Sequence, residues 1–179
     1  VKLDDAFDLQ MGRTPSRDNP DCWRGCNKWI SIADMSSSGK YISNTKERIT
    51  DKGVSESGIK PIPANTVIMS FKLSIGKVAI TAETMYTNEA IMAFVDKGKY
   101  EIDAEYIYYL FNSIDWMDGS NFAAKGATLN KAILSERKIE LPSINTQRQI
   151  VTKLRSKIDS TDALAEKTER QIKDMEAYI

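Results

Sequence analysis

From Asn145 to Ile179 the chain reads as one long helix with an unbroken seam. Starting at Val151, the seam positions fall at Leu154, Ile158, Thr161, Ala165, Thr168, Ile172, Met175 and Ile179. Their spacing alternates three and four residues without a slip, the a/d pattern of a coiled coil. Such a helix is about 50 Å long at ~1.5 Å per residue. A seam of this kind is incomplete until another helix covers it. The sequence holds no second long heptad segment, so the simplest partner is a second copy of the chain. The expected organisation is a globular head over residues 1–144 followed by a spacer and dimerisation helix over residues 145–179.

The head must then be a single domain of ordinary size. An apolar share of 41% is enough to bury a core. The 25 basic and 25 acidic residues cancel, so net charge alone argues for no particular partner. No run approaches the roughly 18 apolar residues of a membrane span, and no secretory signal is recognisable at the start. The expectation is a cytoplasmic protein without a membrane partner. A chain opening on Val1 rather than Met reads as one with a trimmed start, with something upstream missing.

There is no histidine. This removes Ser-His-Asp and Cys-His nucleophile systems and the H-E-x-x-H metal motif. Cys22 and Cys26 are the two thiols; two cysteines cannot complete a closed zinc site, and their spacing is not that of a C-x-x-C redox pair. They read as reduced, structural residues. Neither a P-loop, a dinucleotide fingerprint nor an N-P-P-Y-like methyltransferase loop occurs. Pro20-Asp21 with Glu136-Arg137-Lys138 mimics a nuclease P-D…E-x-K pattern, but metal-assisted cleavage needs those carboxylates clustered. The pattern is split across most of the head and reads as chance. The chain is expected to be non-catalytic, with no cofactor or metal of its own.

Residues 1–27, with turn signals at Gly12–Ser16 and Asn19-Pro20, read as irregular. Trp29–Ile32 is a strand candidate and Ser36–Gly39 a loop. Thr50 is placed to cap a short helix over Asp51–Ser57, closed by Gly58. Pro61 and Pro63 stop regular structure. Thr66–Phe71 and Lys77–Thr81 read as strands around a turn at Ser74-Ile75-Gly76, and Ala90–Val95 as another strand. Ala104–Asn112 reads as a helix with Tyr106, Tyr109 and Leu110 on one face. Gly119–Asn130 is polar and contains glycine. Arg137–Leu141 reads as a last strand, broken by Pro142, and Asn145 is placed to cap the long helix. Short strands mixed with short helices make the expected head α+β.

Charge distribution is more informative than its sum. Between Ser36 and Ala82 the bases are Lys40, Lys46, Arg48, Lys52, Lys60, Lys72 and Lys77, against Glu47, Asp51 and Glu56. Acids gather instead over Glu101–Asp118 and on the long helix. Loops rich in Lys, Arg, Ser, Thr and Asn supply phosphate contacts and base-edge donors, although the same composition also describes an ordinary solvated surface. Trp23, Trp29 and Tyr41 could approach bases; tryptophans at such positions also serve cores.

Taken in order, these segments resemble one half of a specificity subunit of a type I restriction–modification system. The resemblance rests on Gly12-Arg13-Thr14-Pro15-Ser16, then Trp29-Ile30-Ser31-Ile32-Ala33-Asp34-Met35, then Ile49-Thr50-Asp51-Lys52-Gly53-Val54-Ser55. It continues through Ser74-Ile75-Gly76-Lys77-Val78-Ala79 and Thr87-Asn88-Glu89-Ala90. It ends on Gly126-Ala127-Thr128, Ile139-Glu140-Leu141-Pro142 and Gln149-Ile150-Val151. The resemblance implies a target recognition domain joined to a spacer helix, acting on double-stranded DNA. It also implies a methylation subunit as partner, holding S-adenosylmethionine and the catalytic loop, and a restriction subunit reached through the complex. Family subunits usually carry two heads and two spacers, whereas this sequence has one of each. Both a half-subunit that dimerises and one half of a longer chain are compatible with that.

On this reading the DNA-facing surface is built from loops. Arg13, Thr14, Ser16 and Arg17 form the first; Ser37, Lys40, Tyr41, Lys46 and Arg48 the second. Lys72 and Ser74 sit at a hairpin tip, and Lys125, Thr128 and Asn130 in a late loop. The dimer seam comprises Val151, Leu154, Ile158, Thr161, Ala165, Thr168, Ile172 and Met175. The family's opposed spacers favour an antiparallel pair, in which Val151 meets Met175 of the second copy and Thr161 meets its Ala165. Two identical heads then imply a split, palindromic site. The rival reading is a coiled-coil assembly module without direct DNA readout.

Overall fold

The computed structural model describes residues 1–72, 74–118 and 129–176, with the side chains of 174–176 left out. The chain divides into two compact units, Val1–Leu141 and Pro142–Ile179.

The first unit is built on two small sheets. In chain order its elements are α1 (Leu3–Ala6), β1 (Phe7–Met11), a 3-10 turn (Pro20–Cys22), β2 (Trp23–Ile30), α2 (Ile32–Ser37), β3 (Tyr41–Ile42), β4 (Glu47–Ile49) and α3 (Asp51–Ser57). They continue as β5 (Val67–Ser70), β6 (Val78–Thr81), β7 (Tyr86–Thr87), β8 (Ile91–Asp96), α4 (Ala104–Ser113) and α5 (Lys131–Glu136). Five strands pair in the order β1-β8-β5-β6-β3, all antiparallel except β3 with β6. The other three pair as β4-β2-β7, with β2 antiparallel to β4 and parallel to β7.

The central strands β5 and β8 carry continuous apolar runs because both their faces are covered. Ile30, Met35, Ile42, Ile62, Ile68, Ala79, Met85, Ile91 and Ala93 form one core cluster. Trp29, Ile49 and Ile59 form a second under the smaller sheet. An aromatic chain runs from Phe7 through Phe94 and Phe111 to Trp116, each ring edge-on to the next at 4.8–6.0 Å between centroids. Edge-to-face contact suits the ring quadrupoles.

Several sequence expectations hold. α3 spans Asp51–Ser57, with the Thr50 hydroxyl accepting from Gly53 N and Gly58 closing it at φ +60°. β5 and β6 form the expected hairpin, and β8 and α4 lie where patterning placed them.

Others are corrected. The first 27 residues are not irregular, because Phe7 and Leu9 alternate into the core and pair with β8. The turn signals apply to the loop after Met11 alone. The Trp29 strand stops at Ile30, since Ser31 and Asp34 form a reciprocal capping box that starts α2. Ser36 and Ser37 belong to that helix, their hydroxyls donating to carbonyls one turn back. On α4 the buried side is Tyr106, Ile107 and Phe111 rather than Tyr106, Tyr109 and Leu110. Arg137–Leu141 forms no strand; Lys138 makes one isolated bridge to Lys2. Asn130 caps the unexpected α5, its Oδ1 accepting from Ile133 N. The stretch 119–128, including Gly126-Ala127-Thr128, lies outside the described residues.

The second unit is the long helix α6 (Ile144–Glu176). Asn145 lies inside its first turn and does not cap it. Ser143 takes that role, its carbonyl accepting from Gln147 N and its hydroxyl lying 3.4 Å from Thr146 N. The seam is largely open. Val151 is buried and Leu154 half-buried, while Ile158, Thr161, Ala165, Thr168 and Ile172 are exposed. Leu164, one position before Ala165 on the seam's flank, is 64% exposed. Thr161 and Thr168 donate their hydroxyls to Lys157 O and Leu164 O of the same helix. The Met175 side chain and Ile179 lie outside the described residues. No described helix is long and apolar enough to cross a membrane.

Candidate nucleic-acid interface

The loop after β1 is anchored at Gly12. A Cβ there would lie 2.1 Å from Thr87 O and 2.3 Å from Asn88 O, so only glycine allows this approach to the end of β7. Two indoles then hold the loop's carbonyls. Trp29 Nε1 donates to Arg13 O and Trp23 Nε1 to Ser16 O, both at 2.9 Å. The two rings meet edge-on, 5.2 Å apart. The tryptophans therefore act as supports: Trp29 is buried, and Trp23 is covered by the Arg17 guanidinium at 3.8 Å.

Arg17 also makes a two-pronged ion pair with Glu47, with Nη2 3.0 Å from Oε2. The Arg17 hydrogen bond is the main reason that the Glu47 carboxyl titrates below its ordinary range. Beside this pair lies an open depression of about 640 Å³, lined by Arg17, Pro20, Trp23, Arg24, Gly25, Lys46, Glu47 and Arg48. Its floor comes from an irregularity in β2. Trp23 and Asn27 both sit opposite Ile49, so the residues between them form a bulge. Arg24 takes a left-handed backbone there, φ +62°. Gly25 is pressed onto β4, where a Cβ would meet Ile49 O at 2.4 Å.

Lys46 links this depression to a second, polar one of about 430 Å³. Asp34, Ser37, Tyr41, Ser43 and Asn44 are among its lining residues; the Ser37 hydroxyl donates to Ala33 O and Asp34 O, and that of Tyr41 to Glu105. Asp34 is itself used for structure, accepting from Ser31 N and Lys46 N.

The anticipated residues thus fall into groups. Arg17, Ser37, Tyr41, Lys46 and Arg48 line this connected face. Arg13 turns away, donating to Ser57 O at 2.8 Å, and shares a separate crevice with Lys60 and Lys131. Thr14 donates to Glu89, which is the main reason that carboxyl titrates below its ordinary range; Lys72 and Arg17 add to the effect. Ser16 contributes its carbonyl to Trp23. Lys72 is exposed over the Phe71 ring, and Ser74 accepts from Ser70 Oγ through its own carbonyl. Asn130 is engaged in capping α5. Lys125 and Thr128 lie outside the described residues.

Lys40 is the informative case. Its ammonium lies 2.6 Å from Glu105 Oε2, and Tyr41 Oη donates to Oε1 of the same carboxylate at 2.7 Å. Burial works against the charged amine, but hydrogen bonds and charge from Glu105 and Tyr109 outweigh it and raise the Lys40 pKa. Its charge is balanced inside the fold. By contrast, the side chains of Arg24, Lys46 and Arg48 make no hydrogen bond or ion pair among the described residues. Arg24 escaped sequence reasoning. Residues 1–27 read as irregular, so Gly25, an isolated glycine that marks a bulge within a strand, had no strand candidate around it to give it that meaning.

Asp21 pairs with Lys52 at 2.8 Å and Glu136 with Lys2 at 2.6 Å, so the nuclease-like residues serve separate surface ion pairs. Among the described residues no three His, Cys, Asp or Glu side chains are grouped to hold a metal.

A family model described as the type I restriction modification DNA specificity domain matches residues 1–174. The type I restriction enzyme MjaIX specificity subunit of Methanocaldococcus jannaschii is 30% identical over 157 residues, 86% of this chain and 36% of that protein. The EcoR124I/EcoR124II specificity subunit of Escherichia coli is 31% identical over 174 residues, 90% of this chain and 41% of that protein. This chain therefore spans well under half of either relative. Among solved structures, the HsdS subunit from Thermoanaerobacter tengcongensis shares the fold, with a TM-score of 0.67 over 92% of this chain and 38% of that one, at 18% identity.

Proposed function

The chain belongs to the family of type I restriction–modification DNA specificity domains, and from that premise we propose that its head reads one half of a bipartite DNA site. The observation that carries this reading is the basic depression on the β2 bulge, where Arg24, Lys46 and Arg48 are exposed beside a single, already paired carboxylate. Cations that no internal acid balances are the ones that can displace counterions from DNA. Ser43 and Asn44, exposed in the adjoining polar depression, extend the face with a hydroxyl and an amide suited to phosphates and base edges.

The chain acts in this reading as a non-catalytic targeting component in the cytoplasm. A methylation subunit supplies S-adenosylmethionine and the methyl-transfer chemistry, and a restriction subunit joins through the complex. The open seam of α6, with Ile158 and Ile172 exposed and Leu164 exposed on its flank, packs against a like helix, and a second copy of the chain is the simplest source. A two-fold pair of identical heads reads identical, inverted half-sites.

Two measurements test the proposal. Duplex binding, with and without the methylation subunit, should show a steep fall with salt; affinity independent of salt would place the DNA footprint elsewhere. Equilibrium sedimentation should find a dimer at micromolar concentration, and a monomer there would defeat pairing by a second copy.

A further inference from the structure

Arg24 differs from Lys46 and Arg48 in its backbone and its support, and from Arg17 in its freedom as well. Its φ of +62° is a conformation that L residues with side chains adopt at a cost and glycine adopts freely. Folding alone would favour glycine at this position, yet it carries a long cationic side chain. Such strain is held in place where the surroundings over-determine it, most often at functional sites.

The surroundings here do so. Gly25 packs directly on Ile49 O, leaving no room for a Cβ. Trp23, on one side, is tied to Ser16 O and covered by Arg17. Asn27, on the other, donates its side-chain amide to Asp51 Oδ1 at 2.9 Å. The chain beneath Arg24 is therefore clamped at both ends of the bulge. The guanidinium itself is exposed and makes no hydrogen bond or ion pair among the described residues. Arg17 has the same chemistry, but Glu47 occupies its fork. Arg48 is open too, but lies in the regular ladder of β4 opposite Lys28, with ordinary backbone. Lys46 is a point charge, suited to phosphate.

A planar five-donor fork on a rigid base, flanked by phosphate-seeking cations, matches the paired O6 and N7 acceptors of guanine. Resting on the reading of this face as DNA-facing, we infer that Arg24 reads a guanine of the half-site through the major groove, while Lys46 and Arg48 hold the adjacent backbone.

The test is a methylation map of genomic DNA from cells carrying the complete restriction–modification complex, with the wild-type chain or with Arg24→Lys, Arg24→Ala or Arg24→Gly. Each variant should keep the rest of the motif and lose preference at one guanine position by about 5- to 150-fold. Lysine should lose less than alanine but still fall short of arginine, because an ammonium reaches O6 and N7 without the planar fork that fixes both bonds. Arg24→Gly should fold at least as well as wild type by thermal melting, which separates lost readout from lost structure. An unchanged motif in the variants would overturn the role of Arg24 and leave the DNA-facing reading intact. So would an unchanged motif methylated less completely throughout, the mark of a phosphate contact. Altered preference at an A·T pair, or a wild-type motif without guanine, would overturn guanine readout. A wild-type complex that yields no motif would defeat both readings.

Discussion

Replacing Lys46 and Arg48 together by alanine should flatten the salt dependence of DNA binding, whereas Lys40→Ala should not. All three are basic residues of one sequence segment, and they differ in what surrounds them. Neither Lys46 nor Arg48 has an internal ion pair among the described residues, so each is free to neutralise a phosphate. The Lys40 ammonium already faces Glu105 at 2.6 Å. Each phosphate contact contributes a slope of about 0.9 in log K against log salt on duplex DNA, so two removed contacts lower the slope by about 1.8. Between 50 and 200 mM salt one contact accounts for about 3.5-fold in affinity, and two for about 12-fold. The assay is fluorescence anisotropy of a labelled duplex titrated with the chain, with the proposed methylation subunit present, repeated across that salt range. Lys40→Ala should leave the slope within about 0.3 of wild type, well below the value for one contact. Equal flattening by Lys40→Ala, or an unchanged slope for the double variant, would refute the argument that internal ion pairing decides which cations meet DNA.

Three further outcomes follow from the same geometry. Lys40→Ala should instead destabilise the head by about 1–3 kcal/mol in urea unfolding. This is less than the 3–5 of a fully buried pair, because the Lys40 side chain is 24% exposed; a loss below about 0.5 kcal/mol would show the pair to be only a surface bridge. Acid should weaken the head, since the carboxyls of Glu47 and Glu89 titrate below their ordinary value of 4.5. Groups depressed in the folded state contribute stability above the unfolded value and lose it as pH falls through the folded one. Replacing both by glutamine should therefore shallow the decline in melting temperature below about pH 4.5, and an unaltered acid limb would contradict the assignment. Finally, Gly12→Ala should cost about 1–3 kcal/mol or more by overpacking, because its new methyl meets the carbonyl of Thr87 at 2.1 Å; wild-type stability for this variant would show that the loop relaxes freely.

What the sequence determined by itself is local. The cap, helix and stop of Thr50, Asp51–Ser57 and Gly58 need only near neighbours, as does the hairpin from Thr66 to Thr81. The heptad spacing of the long helix is written within a single segment. The family was also legible, because its motifs are short and ordered along the chain. Tertiary structure decided which charges are available. Lys40 and Lys46 are alike in sequence, and the arrival of Glu105 and Tyr109 from α4 separates them. Arg17 and Arg24 are separated the same way, by Glu47 from β4. These pairings join residues far apart in the chain, and no local pattern encodes them. The Arg24 bulge likewise exists only because β2 must keep register with Ile49 while accommodating extra residues. Coulomb interaction and close packing act through space, so the electrostatic identity of a side chain is settled only when the chain has folded around it.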